Sequence, residues 1–233
     1  MGLLLENWNG LVSLLIACIE LILFVNLLVF ADKNQLNKMA LILIAILMCY
    51  QMIEYSICGL GLRTFFISYL ALGIISFLPP LTLHFSLKIF SRWKSFYRLL
   101  YLPAAIFIVY YAFVIQQFST TKCTVYYAVY NYPLGDLYGA VYYTPVIASM
   151  IVFYIFRNSP IDKKLRTAVR IILGTLIFTS LPVVTAFILH AAGLSNMLKA
   201  MESIMCKFAF VYAFGLAIFA LLNSKEKNVR SNS

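Results

Sequence analysis

The chain alternates long apolar runs with short polar breaks, and that alternation is its strongest structural signal. Apolar stretches cover approximately Trp8–Phe30, Met39–Leu60, Phe65–Phe90, Leu99–Gln117, Tyr138–Phe156, Ala168–His190 and Ser203–Leu222. Each approaches the roughly 20 apolar helical residues needed to cross a hydrocarbon core about 30 Å thick. The pattern predicts an all-α integral membrane bundle of seven transmembrane helices over residues 1–222, followed by a short basic tail over 223–233. The first run is too long, and its flank too acidic at Glu6, for a cleavable leader, so it is expected to remain as a span.

Composition agrees with lipid as part of the solvent. Of 233 residues, 63% are hydrophobic and only 11% charged, more apolar surface than one water-exposed core of this size hides. The net charge of +10 does not form a continuous basic stripe, so nucleic acid is not an expected partner. The cations instead collect in ADKNQLNK, SRWKSFYR, RNSPIDKKLR and the tail, which alternate with less basic breaks. Positively charged loops are retained in the cytoplasm, so the N-terminus is expected outside the plasma (inner) membrane and the C-terminus inside.

Ionisable groups at membrane depth are functional candidates by default, because lone charges in hydrocarbon cost several kcal/mol. Glu20 is expected near the bilayer centre, about 18 Å from the outer edge. Glu54 lies about 22 Å along its span from the inner end, and Lys207, one or two turns into the last span, falls at a similar depth. Equal depth permits a Glu54–Lys207 ion pair with Gln51 on the same helical face, and it equally permits both groups to snorkel separately. The loop TVYYAVYNYPLGDLYGAVYY offers Tyr126, Tyr127 and Tyr130 either as an interfacial aromatic belt or as the lining of a ligand vestibule. A small-molecule or lipid ligand would then meet Gln51, Glu54, Lys207, Glu20 and these tyrosines.

Cys58, Cys123 and Cys206 all fall toward the outer side, where a disulfide can tie the long loop to a helix or each can remain a small buried apolar residue. His84 and His190 lie at opposite depths and read as interfacial residues rather than as one metal site. Pro79, Pro80, Pro103, Pro145 and Pro182 predict kinks or breaks inside four spans. No metal or cofactor motif occurs, and neither H-E-x-x-H, G-x-S-x-G nor a phosphate-cradling glycine loop is present, so a non-enzymatic role is expected.

From about Leu43 to Leu222 the order of ISFLPPLTLHFSLKIF, LLYLPAAIFIVYY, KKLRTAVRIILGTLIFTSLP and FAFVYAFGLAIFALL resembles the seven-helix N-terminal sensor region of bacterial histidine kinases. The resemblance implies a receptor that passes a conformational change inward. This chain departs from that family in having no phosphoacceptor or ATP-binding region after the last span, so output through a separate partner at the basic cytoplasmic loops is expected. A small transporter or channel using Glu20, Glu54 and Lys207, an accessory membrane subunit, and a retinal photoreceptor with Lys207 as the attachment point are the competing expectations. The last lacks a carboxylate counterion in the third span.

Overall fold

The computed structural model describes residues 8–159, 163–191 and 198–224. Helix α1 covers Leu11–Phe30 and α2 covers Gln35–Cys58, the latter started by Asn34, whose side chain accepts from the Asn37 N–H at 2.8 Å. Such a cap satisfies one of the amide donors that a first helical turn leaves free. The third span is two helices, α3 (Phe65–Ile75) and α4 (Leu78–Ile89), rather than one kinked rod. Pro79 and Pro80 sit in the first turn of α4, where a missing N–H costs little, so the helix restarts instead of bending. The Ser76 hydroxyl occupies the break and lies 2.6 Å from the Leu72 carbonyl and 2.9 Å from the Tyr138 hydroxyl.

A 3-10 segment, Ser95–Tyr101, leads into α5 (Leu102–Phe113), with Pro103 again in a first turn. Helices α6 (Gly135–Phe156), α7 (Lys163–Ala191) and α8 (Leu198–Leu222) complete the bundle, with Pro145 and Pro182 inside α6 and α7. Among the described residues, seven segments are long and apolar enough to cross a membrane, the α3–α4 pair counting as one. Their outward surfaces carry large apolar side chains such as Val29, Phe30, Phe113 and Ile155, an arrangement that suits hydrocarbon.

The bundle is helical as expected, and one small hairpin is added to it. Between α5 and α6 the chain forms an antiparallel hairpin, β1 (Ser119–Cys123) with β2 (Ala128–Asn131), pairing Thr120 with Tyr130 and Cys123 with Ala128. Its turn lacks the usual glycine or asparagine. Thr124 substitutes for them, its hydroxyl accepting from the Tyr127 N–H at 2.9 Å while its amide donates to the Tyr127 carbonyl. Gly10 donates to the Thr124 carbonyl, so the start of α1 is fastened to the same turn.

Helix α8 is the hub, touching α1, α2, α7 and the hairpin. Small residues on it, Ala209, Ala213, Ala217 and Ala220, are buried and allow close helix approach. At Gly215 the space is already taken, since an added Cβ would lie 2.5 Å from the Thr175 hydroxyl of α7. At the end remote from the hairpin, Asn223 donates to Asn34 and Asn37, while Ser224 joins Asn37 and the Asp32 amide. His84 stacks on Trp93 with ring centroids 3.5 Å apart and has Nδ1 2.8 Å from the Tyr101 hydroxyl, which clamps the 3-10 segment to α4. The side chain of His190 and the tail beyond Ser224 lie outside the described residues.

Replacing Gly215 by Ala is expected to destabilise the bundle by about 1–3 kcal/mol through overpacking. Adding Thr175→Ala should recover much of that loss, and thermal unfolding in detergent of the two single variants and the double variant measures it. Strictly additive losses would mean that the α7–α8 contact is not the one described.

Candidate functional site

Three helices converge on one ammonium group below the hairpin. Lys207 Nζ lies 2.8 Å from Glu54 Oε1 and donates at 2.7 Å to both Gln51 Oε1 and Ser13 Oγ. A lysine ammonium has three N–H donors, and these three acceptors match them in number. Lys207 and Glu54 are both buried, so neither charge relies on water. Helices α2 and α8 run antiparallel, as Asn34 meets Asn223 at one end and Glu54 meets Ser203 at the other. Because a helical Cα–Cβ bond leans toward the helix N-terminus, the side chains at 54 and 207 lean toward each other along the bundle axis. That tilt closes a gap in depth. Helix α8 starts at Leu198, while its apolar span begins at Ser203 as the sequence predicts, one turn before Lys207.

Further hydrogen bonds tie this centre to the hairpin. Ser203, one turn before Lys207, donates to Glu54 Oε1 at 3.2 Å and accepts from the Ala128 N–H at 3.1 Å. The Gln51 amide donates to the Cys206 carbonyl at 2.8 Å. Glu20 is fully buried on α1, close enough to Lys207 for Coulombic attraction, and neither of its oxygens has a hydrogen-bond partner among the described residues. All four polar candidates at membrane depth therefore share one locality.

The tyrosines divide. Tyr130 faces inward with a buried hydroxyl, and burial together with the Glu54 carboxylate pushes its phenol well above the usual range, so it stays neutral. Tyr126 stands exposed at the hairpin turn and does not join the site, and Tyr127 is half-buried, its backbone spent on the Thr124 turn. Tyr130 instead combines with Tyr50, Tyr138, Tyr142, Tyr143 and Ser203 around a cavity of about 40 Å³. That space holds a few water molecules at most.

Among the cysteines, Cys58 and Cys123 form the disulfide, which fastens the end of α2 to β1 across 65 residues of chain. Cys206, the third candidate, is buried on α8 and takes no part in a disulfide, its backbone carbonyl accepting from the Gln51 amide. Sequence reasoning missed Ser13, Ser203 and Tyr50. A signal existed for two of them: Tyr50 is four residues before Glu54, and Ser203 four before Lys207, each one turn away on the same face. Among the described residues no group of three or more His, Cys, Asp or Glu side chains is placed to hold a metal ion. The retinal alternative meets an engaged amine, since Lys207 is committed to Glu54, Gln51 and Ser13.

No family model, no curated protein and no solved structure matches this chain. The likeness to kinase sensor regions therefore stands on the four quoted segments.

Removing one partner of a buried pair strands the other, so Lys207→Met and Glu54→Gln are each expected to cost about 3–5 kcal/mol, and the double variant much less than their sum. Denaturation of all three in one detergent reads the coupling, and additive losses would contradict a shared centre. For the disulfide, replacing Cys58 and Cys123 by Ser should remove up to about 4 kcal/mol by freeing a 65-residue loop. Unchanged unfolding together with unchanged mobility on non-reducing gels would rule that bond out.

Proposed function

We propose that this chain is a receptor-like membrane sensor that carries a change at its hairpin to a separate protein partner at the opposite, basic end. The observation that carries the reading is the continuous polar chain from the Ala128 amide through Ser203 and Glu54 to Lys207, Gln51 and Ser13. A displacement of β2 alters the partners of Glu54, and any change at Glu54 bears on α1, α2 and α8 together. Helix α8 then runs directly to the Asn34–Asn37–Asn223–Ser224 cluster at the other end.

The hairpin end is read as outside and the basic end as cytoplasmic in the plasma (inner) membrane. Two independent tendencies support this: disulfides persist in oxidising compartments, and Lys and Arg remain on the cytoplasmic side. The basic breaks suit an acidic surface on a cytoplasmic output protein.

A transporter is the second reading, favoured by Glu20, a buried carboxyl without a hydrogen-bond partner near Lys207. Hydrogen–deuterium exchange on the reconstituted chain separates the two. For a sensor, Lys207→Met should speed exchange in the peptides around Asn37 and Asn223 by roughly fivefold to tenfold, matching about 1 to 1.4 kcal/mol of lost protection. Exchange in α6 should stay constant. Acceleration confined to the hairpin and its neighbours would sink the sensor reading, and Glu20-dependent proton flux into proteoliposomes would replace it with transport.

A further inference from the structure

Of the seven spans, the fourth is the least buried. Where it passes α6, a groove of about 420 Å³ opens outward, lined by Phe96, Tyr97, Leu100, Pro103, Val141 and Pro145, with apolar atoms making up nearly all of its surface. Pro103, at the junction of the 3-10 segment with α5, and Pro145, inside α6, both form part of its wall. The groove begins at the basic end, at Phe96, and reaches residues 140–145 of α6. With helix α6 starting at Gly135 on the hairpin side, that extent covers about half the thickness of a hydrocarbon core.

Two cations flank the segment that forms one wall, Lys94 just before it and Arg98 within it, though neither lines the groove itself. In a 3-10 segment residues three apart lie above one another, so Lys94, Tyr97 and Leu100 share a face that continues to Pro103. Lys94 thus stands one turn outside the apolar lining, with Arg98 on the adjoining face. Both are exposed, and neither forms an ion pair with a described residue. Asp32 is the one acidic residue among those described at this end of the bundle, and its place is on the α1–α2 link rather than at the groove. By contrast Arg92, nearby in sequence, is occupied over the Phe156 ring at 5.2 Å.

An apolar slot with exposed cations on the segment that borders it suits a phospholipid with a negatively charged headgroup. We propose that an anionic phospholipid of the cytoplasmic leaflet docks here, an acyl chain between the 3-10 segment, α5 and α6 and its phosphate on Lys94 and Arg98. Basic pockets between membrane helices on the cytoplasmic side recognise anionic headgroups by this combination of charge and apolar cover. The inference rests on the membrane-spanning reading and its orientation and is independent of the sensor reading. Its connection inward is direct, because Leu100, Pro103, Val141 and Pro145 also border a smaller cavity that ends at Ser76, Tyr138 and Tyr142, and the last two line the chamber beside Ser203.

The test is lipid retention by the full chain. Protein reconstituted in equimolar phosphatidylglycerol and phosphatidylcholine is extracted in mild detergent, and its bound lipid is counted by native mass spectrometry. Phosphatidylglycerol is expected in roughly fivefold or greater excess, the scale set by one or more basic contacts. Lys94→Gln with Arg98→Gln should bring the ratio near unity, while Lys163→Gln with Lys164→Gln, removing equal charge elsewhere on the same end, should leave it unchanged. Ala140→Leu, which fills the groove wall, should lower retention of both lipids. A wild-type ratio of unity overturns the proposal, as does equal loss of selectivity in the two charge variants, which would indicate diffuse attraction instead of a site.

Discussion

The architecture turns on how one ammonium is kept in an apolar bundle. Isolated charges do not survive burial, so Lys207 requires acceptors from whatever helices surround it. They come from three places: Ser13 on α1, Gln51 and Glu54 on α2. Because the lysine has three donors and the acceptors lie on two other helices, the relative rotation and depth of α1, α2 and α8 are specified together. Apolar packing alone is far more permissive, since sliding one greasy helix along another exchanges similar contacts. The polar centre therefore supplies register, and the small residues of α8 supply closeness.

Two further constraints hold the same three helices at their ends. On the hairpin side, the Cys58–Cys123 bond and the Gly10–Thr124 hydrogen bond fix β1 and its turn over α2 and α1. On the other side, asparagines and serine make neutral hydrogen bonds between the α8 terminus and the α2 cap. The charged centre lies between them, nearer the hairpin. A structure pinned at both ends with a charge pair between is suited to transmit a change in one terminus as a tilt or rotation of α8, because bending is opposed by the packed middle.

How much of this was legible depended on whether the signal was local. The spans were readable because hydropathy over twenty residues needs no knowledge of neighbours. Glu54 and Lys207 could be matched in depth, but depth left open whether they faced each other, and the helical tilts that join them depend on the antiparallel packing of α2 and α8. The hairpin was hidden for a specific reason: its turn is made by a threonine hydroxyl in a run without Gly, Asn or Pro, so Thr120 to Tyr130 read as an aromatic loop. That omission also left the cysteine pairing open, since strand register is what brings Cys123 to the end of α2. Ser13 carried no signal, because a serine in a membrane helix ordinarily bonds its own backbone four residues earlier.

The size of the tyrosine chamber limits what kind of cue the proposed sensor could receive. A site for an organic ligand of ordinary size encloses roughly 300–1,000 Å³, against about 40 Å³ here. With no room for such a molecule beside Glu54, a cue in the proposed sensor would act on the chamber's boundary. One wall is the hairpin, through the Ala128–Ser203 bond; another is the Tyr138–Tyr142 face of α6, backed by the cavity that leads to the groove beside α5. Both walls meet at Ser203 and Tyr130, against the carboxylate that holds Lys207. The ion pair is thus placed to respond to a change of shape at either wall without being touched by what causes it.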